Sequence, residues 1–179
     1  MCHAEQKHFF QEVKNQFPIF FINSKVLEIG SLDINGSIRD CFETPTEYIG
    51  VDLEEGPGVD FVGEGQKIEF SDEYFDCTLS SECFEHNPYW LETFVNMVRM
   101  TRQGGLVTFS CASEGRPEHG TTRTNPLDSP FTVNKGWDYY RNLNEVDFTS
   151  VLDFDGLFTE YNFQYNSAIK DLYFWGIKK

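Results

Sequence analysis

The chain has 179 residues and a formal charge of -15, from 14 Lys plus Arg against 29 Asp plus Glu. A field of that sign repels nucleic acid and anionic membrane surfaces and argues against a polyanionic partner. A hydrophobic fraction of 40%, with 18 Phe, 8 Tyr and 3 Trp, fits a packed globule rather than a disordered chain.

No apolar run approaches the length of a membrane span. The opening stretch MCHAEQKHFFQEVKNQ lacks the basic flank and apolar centre of a signal peptide, so a cytoplasmic protein is expected. Cys2, Cys41, Cys77, Cys83 and Cys111 form no C-x-x-C pair and are read as reduced thiols.

In chain order, His3–Gln16 spaces Phe9, Phe10, Val13 and Phe17 as one face of a helix that Pro18 ends, so residues 1–24 are a helix and a lead-in. Lys25–Ile29 reads as the first strand, followed by a loop with two glycines and a short helix at Ser37–Phe42. Tyr48–Val51 and Val59–Val62 read as the second and third strands, joined only by LEEGPG after Asp52. That link is too short for a crossover helix, but eight extended steps cover about 26 Å at roughly 3.3 Å each, so a coil crossover is expected.

Phe75–Ser80 is a fourth strand, and Tyr89–Thr101 is a helix with Leu91, Phe94, Val95 and Val98 on one face. Arg102–Gly105 reads as a glycine turn before the apolar fifth strand, Leu106–Cys111. Residues 113–142 form a polar insertion at the carboxyl edge of that strand, where loops carry function. Asn142 and Glu145 suggest a capping box for a helix over Leu143–Leu152, and Phe158–Lys179 alternates as a closing antiparallel hairpin. Strands alternating with helices, without a linker or repeat, make 1–179 one α/β domain.

The chemistry concentrates in VLEIGSLDINGS, Val26–Ser37. A tight loop leaving a buried strand presents backbone N–H groups at the carboxyl edge of the sheet, and Gly30 and Gly36 permit close approach of a ligand. Twenty-two residues after Gly30, Asp52 ends YIGVD, a position from which a carboxylate accepts from both ribose hydroxyls. A nicotinamide site would want G-x-G-x-x-G, but Leu32 and Asn35 stand in the second and third glycine places. Glu28 favours a cofactor with a cationic end.

VLEIGSLDING, YIGVD, VGEGQKIEFSDEYFDCTLSSECFEH, TRQGGLVTFS and the terminal hairpin, in that order, resemble the class I S-adenosylmethionine-dependent methyltransferases over Lys25–Lys179. The resemblance implies a Rossmann-like three-layer sandwich, with a mostly parallel seven-stranded sheet of order 3-2-1-4-5-7-6 and an antiparallel C-terminal strand. It also implies that Gly30 faces the methionine end of the cofactor, with Ser80 and Ser81 beside it, and Glu28, Ser31, Leu32 and Asn35 around it are further candidates for cofactor binding. Asp52 then meets the ribose, and Leu53, Glu64 and Gly65 the adenine. The loop departs from the family's E-x-G-x-G-x-G by lacking its middle glycine and by being longer.

The expected function is methyl transfer to a small-molecule acceptor at a hydroxyl oxygen, with S-adenosylhomocysteine as product. His119, His86 and Glu85 are the candidates to remove the acceptor's proton. The N-terminal helix and residues 113–142 are expected to shape the acceptor pocket, with Trp137, Tyr139, Tyr140 and Arg141 as a candidate wall. Glu82, Glu85 and His86 form an E-x-x-E-H spacing similar to that of ubiquinone-pathway O-methyltransferases that bind a cation, but no metal is expected here. A catalytically silent module of the same fold and a nicotinamide oxidoreductase are the competing readings. Nothing in the sequence specifies the oligomeric state.

Overall fold

A computed structural model describes residues 4–179. Its sheet has seven strands: β1 (Lys25–Ile29), β2 (Glu47–Asp52), β3 (Phe61–Val62), β4 (Phe75–Ser81), β5 (Thr101–Ala112), β6 (Phe158–Asn166) and β7 (Asp171–Lys178). The helices are α1 (Ala4–Gln16), α2 (Trp90–Met100), α3 (Pro130–Asn134), α4 (Glu145–Thr149) and α5 (Phe154–Leu157). Strand order is β3-β2-β1-β4-β5-β7-β6, as the resemblance implied. The first five strands run parallel, while β7 is antiparallel to both β5 and β6.

Alternation along the buried strands builds a core on each face. Val107, Phe109 and Cys111 of β5 join the cluster under α2, α4 and α5, whereas Leu106 joins the cluster under α1. The aromatic excess goes largely into the first cluster, where Phe109 stacks on Phe148 at 4.9 Å and on Phe174 at 5.1 Å. Under α1, Phe9 stacks on Tyr173 at 4.5 Å, and Gln6 Nε2 donates to Ser110 Oγ at 3.2 Å. None of the described helices is long and apolar enough to cross a membrane.

Four local expectations change. The helix expected at Ser37–Phe42 is a single 3-10 turn, Ile38–Cys41. Thr44, at φ +45°, precedes Pro45, and a proline keeps the residue before it out of the helical region. Arg102–Gly105 lies inside β5 rather than in a separate turn. Gly104, at φ +66°, takes up the register break between the pairs Phe75↔Thr101 and Cys77↔Leu106, as a bulge does.

The capping box uses Asn144 and Asp147, not Asn142 and Glu145: the Asn144 side chain accepts from the Asp147 backbone, whose carboxylate accepts from Asn144 N at 2.8 Å. The helix it starts, α4, is five residues long. Asn144→Ala is expected to lower stability by about 1 kcal/mol, read as a lower urea midpoint at unchanged slope. An unchanged midpoint would deny the cap any role. Finally, α1 lies on the sheet face opposite α2, and none of its described residues lines the cavities described next. The expectation that the N-terminal helix, read from His3, shapes the acceptor pocket falls in part on residues 1–3, which lie outside the described residues.

Candidate cofactor and acceptor site

The site forms where β1, β2 and β4 end. Gly30 leaves β1 at φ +79°, and a Cβ there would stand 2.5 Å from Cys83 Cβ. Conformation and space both reserve the position for glycine. Gly30 N and Ser31 N both donate to Val51 O, at 2.9 and 3.2 Å, which binds the loop to β2.

Asp52 closes β2. Its Oδ2 accepts from Leu32 N at 3.0 Å and its Oδ1 from Leu53 N at 2.8 Å. Burial raises its pKa against the pull of these two N–H groups.

Two cavities meet at this carboxylate. One, of about 70 Å³, is polar and acidic, with Glu28, Ser31, Ser81, Glu82, His86 and Asp128 on its walls. The other, of about 30 Å³, is a mainly apolar slot between Ile29, Val51, Leu53, Gly65 and Trp137. Gly30, Asp52, Cys83 and Thr132 line both. In the polar cavity Ser31 Oγ is buried with no hydrogen-bond partner among the described residues. Glu28 Oε2 accepts from Tyr48 Oη at 2.7 Å, yet burial lifts the Glu28 carboxyl to about 7.

Residues 113–142 roof this cleft. Ser129, Phe131 and Thr132, at the start of α3, wall the polar cavity, and Trp137, 5.4 Å from the Tyr89 ring, walls the apolar one. Two polar contacts hold α3 against the β2–β3 side: Lys135 Nζ lies 3.1 Å from Glu64 Oε1, and Asn134 Nδ2 donates to Glu54 Oε2 at 3.2 Å. Lys67, 2.8 Å from the other Glu64 oxygen, and Lys135 together hold the Glu64 carboxyl below its ordinary range.

On the β4 side, Glu85, His86 and His119 come together. Nε2 of each histidine lies 4.0 Å from Glu85 Oε1, and Tyr140 packs 5.6 and 5.1 Å from the two imidazoles. Burial pushes the Glu85 carboxyl well above the usual carboxylate range, and burial with His119 nearby takes His86 down to about 3. Burial also lowers His119. Both imidazoles are therefore neutral at pH 7.

The E-x-x-E-H spacing does not form a helix face. Glu82 has φ +49° and precedes a short 3-10 turn, Phe84–His86, so the third member of the cluster is His119 from the roof.

Of the residues expected at the cofactor, Glu28, Gly30, Ser31, Leu32 and Ser81 line the polar cavity. Leu53 and Gly65 line the apolar one, and Asp52 lines both. Three lie elsewhere: Ser80 Oγ donates to Ile29 O at 2.9 Å within the sheet, Glu64 is ion-paired beside the slot, and Asn35 is exposed on the loop. Cys83, Asn87 and Thr132 also line the cleft; Cys83 lies within a quoted motif segment but was given no role there, and Asn87 and Thr132 lie in none. Their positions follow from long-range packing rather than local pattern.

Residues 27–109 match a family described as a methyltransferase domain. A phthiotriol/phenolphthiotriol dimycocerosates methyltransferase of Mycobacterium tuberculosis is 31% identical over 78 residues, covering 37% of this chain and 29% of the relative. The chain thus spans less than a third of that curated relative. Among solved structures, Burkholderia thailandensis 1,6-didemethyltoxoflavin-N1-methyltransferase, with bound 1,6-didemethyltoxoflavin and S-adenosylhomocysteine, superposes at TM-score 0.66. It is 16% identical, covering 98% of this chain and 79% of its own. The YcgJ protein of Bacillus subtilis superposes at TM-score 0.63 with 14% identity, covering 96% and 99%. At those identities the likeness carries the fold. The match is thus to residues 27–109, and the seven-stranded sheet of order β3-β2-β1-β4-β5-β7-β6 is a Rossmann-like methyltransferase fold shared with these solved structures.

Proposed function

We propose that this chain, as one domain, moves the methyl group of S-adenosylmethionine to a small-molecule acceptor at a hydroxyl oxygen, leaving S-adenosylhomocysteine. The observation that carries the reading is Asp52 at the junction of an acidic cavity and an apolar slot.

The donor set fits that cofactor. Asp52 would take the ribose hydroxyls, the slot beside Leu53, Gly65 and Trp137 the adenine, and Glu28 with the unpartnered Ser31 Oγ the methionine ammonium and its surroundings. Once bound, the cofactor supplies a methyl group on a sulfonium, an excellent leaving group. What remains for the protein is to align the acceptor, exclude water and remove a proton. Residues 113–142 roof the cleft, and the Glu85, His86 and His119 cluster opens to it through His86.

The two cavities are smaller than the roughly 300 Å³ at which ligand pockets begin, so the roof must lift to admit the cofactor. Lys135 holds it down on Glu64, the carboxylate expected to meet the adenine amino group. A partly exposed pair of this kind is worth about 1 kcal/mol at most. Lys135→Ala is therefore expected to tighten S-adenosylhomocysteine binding up to about fivefold by calorimetry; weaker binding would mean that Lys135 helps to hold the cofactor.

A catalytically silent cofactor-binding module is a second reading, favoured by the pinched cleft. The tests are titration with S-adenosylhomocysteine and labelled methyl transfer to matched hydroxyl and amine acceptors. No binding overturns the proposal, binding without turnover favours the silent module, and turnover on amines alone corrects the acceptor atom. The unpaired thiols of Cys41, Cys77, Cys83 and Cys111 support a reducing compartment, the cytoplasm, and the charge of -15 supports a partner set without nucleic acid.

A further inference from the structure

Resting on the methyl-transfer reading, we propose that the acceptor is a cationic amino alcohol, a hydroxyl compound whose ammonium group is received by the Asp128 carboxylate of the roof. Asp128 lines the polar cavity together with Glu28, Asp52 and Glu82. Glu28 and Asp52 are taken by the cofactor in that reading. Glu82, just after β4, adds negative potential on the same cavity.

The positive charges of this region are all engaged elsewhere. Among the described residues, no lysine or arginine lines either cavity. The four basic side chains of residues 113–142 each meet a carboxylate: Arg116 lies 2.8 Å from Asp171, Arg123 2.7 Å from Glu118 and Lys135 3.1 Å from Glu64, and Arg141 pairs with Asp147. Arg39, next to the cavity residue Ile38, pairs with Asp60 and donates to Gly58 O at 3.2 Å. Burial keeps both nearby imidazoles neutral at pH 7. A phosphate or carboxylate entering this cleft would be desolvated beside like charges, with no cation to receive it. An ammonium gains from the same arrangement.

The turn that carries Asp128 stands against His86. A Cβ added at Gly120 would lie 2.6 Å from His86 Cε1 and 2.8 Å from Ser129 Cβ, so imidazole and turn are near neighbours. His86 lines the same cavity, is buried, and its Nδ1 has no hydrogen-bond partner among the described residues. Leaving such a group unpaired is costly, and an acceptor hydroxyl pairs with it. Asp128 Oδ1 accepts from Asn125 Nδ2 at 2.8 Å, which orients the carboxylate and leaves acceptor capacity on its other oxygen. Hydroxyl and ammonium are thus received side by side, one by a neutral ring and one by a carboxylate.

The test uses the whole chain, first titrated to saturation with S-adenosylhomocysteine. It is then offered matched hydroxyl compounds that carry an ammonium, a methyl or a carboxylate group at one position, with affinities read by saturation-transfer NMR and calorimetry. Ammonium members are expected to bind at least about tenfold more tightly than their carboxylate counterparts, the worth of one hydrogen bond to a charged group. Asp128→Asn, nearly isosteric and checked by circular dichroism, is expected to cut that preference at least about threefold. A field spread over the whole surface would leave the ratio nearly unchanged, because the variant alters one charge in a net of -15. An unchanged ratio in the folded variant therefore overturns the site. So does equal or tighter binding of the methyl or carboxylate members, or failure of every ammonium member to bind. Those results leave cofactor binding standing, whereas failure of the first titration would remove the methyl-transfer reading and this one with it.

Discussion

Asp52→Ala is expected to weaken S-adenosylhomocysteine binding by about 100-fold or more. The carboxylate stands on the partition between the two cavities and is already oriented, one oxygen by Leu32 N at 3.0 Å and the other by Leu53 N at 2.8 Å. Each oxygen keeps acceptor capacity for a sugar hydroxyl. Hydrogen bonds to a charged group contribute about 1.5–3 kcal/mol each, so losing two removes at least about 3 kcal/mol, or two powers of ten in Kd. The substitution also releases two loop N–H groups, so the affinity is to be read on protein whose circular dichroism matches the parent. Asp52→Asn keeps one acceptor oxygen and should fall between. Unchanged affinity in a folded Asp52→Ala protein would remove the assignment of this cleft to an adenosyl cofactor.

Glu28→Gln is expected to make the protein more stable at alkaline pH while weakening the cofactor. Burial raises the folded-state pKa of Glu28 from 4.5 to about 7. The folded chain therefore keeps a proton that the unfolded chain has already lost. That contribution is complete below the unfolded pKa and is lost as pH rises through the folded one. For a shift of this size the loss is about 3 kcal/mol.

Glutamine does not ionise, and its oxygen still accepts from Tyr48 Oη. Urea unfolding at about pH 5 and about pH 8 should show the variant gaining on the parent by up to about 3 kcal/mol. A gap that does not change with pH would mean that Glu28 titrates normally in the fold. The accompanying loss of affinity would mark Glu28 as a residue kept at the expense of stability for its charge.

The sheet was legible in the sequence because its strands are short apolar runs with clear stops. LEIG, YIGVD and LVTFSC each carry enough local information to define a strand, and the brevity of LEEGPG alone implied the coil crossover that joins β2 to β3. The elements that shifted are those decided by competing signals of similar strength. Asn144 with Asp147 supplanted Asn142 with Glu145, and Asn142 Nδ2 was drawn instead to Arg116 O at 2.9 Å. Gly104 looked like a turn and became a bulge, because residues on both sides of it pair with β4.

At the cleft, Gly30 and Asp52 were legible from their spacing. The roof was legible only as a segment, since the contacts that seat it, Lys135 on Glu64 and Asn134 on Glu54, join residues far apart in the chain. The meeting of His119 with Glu85 has the same origin. No local pattern in SECFEH or in PEHG announces the other.

The contacts of α1 bear on the order in which the chain can be assembled. Phe9 of α1 stacks on Tyr173, and Phe17 just beyond the helix meets the Trp175 ring at 4.9 Å, so the docking surface of α1 includes β7. While the polypeptide emerges from the ribosome, the apolar flank around Val26 and Leu79 stays without its full cover until β7 has left the exit tunnel. The docking of α1 therefore waits for β7, and a nascent chain halted before Tyr173 would carry an adhesive, incompletely sealed surface.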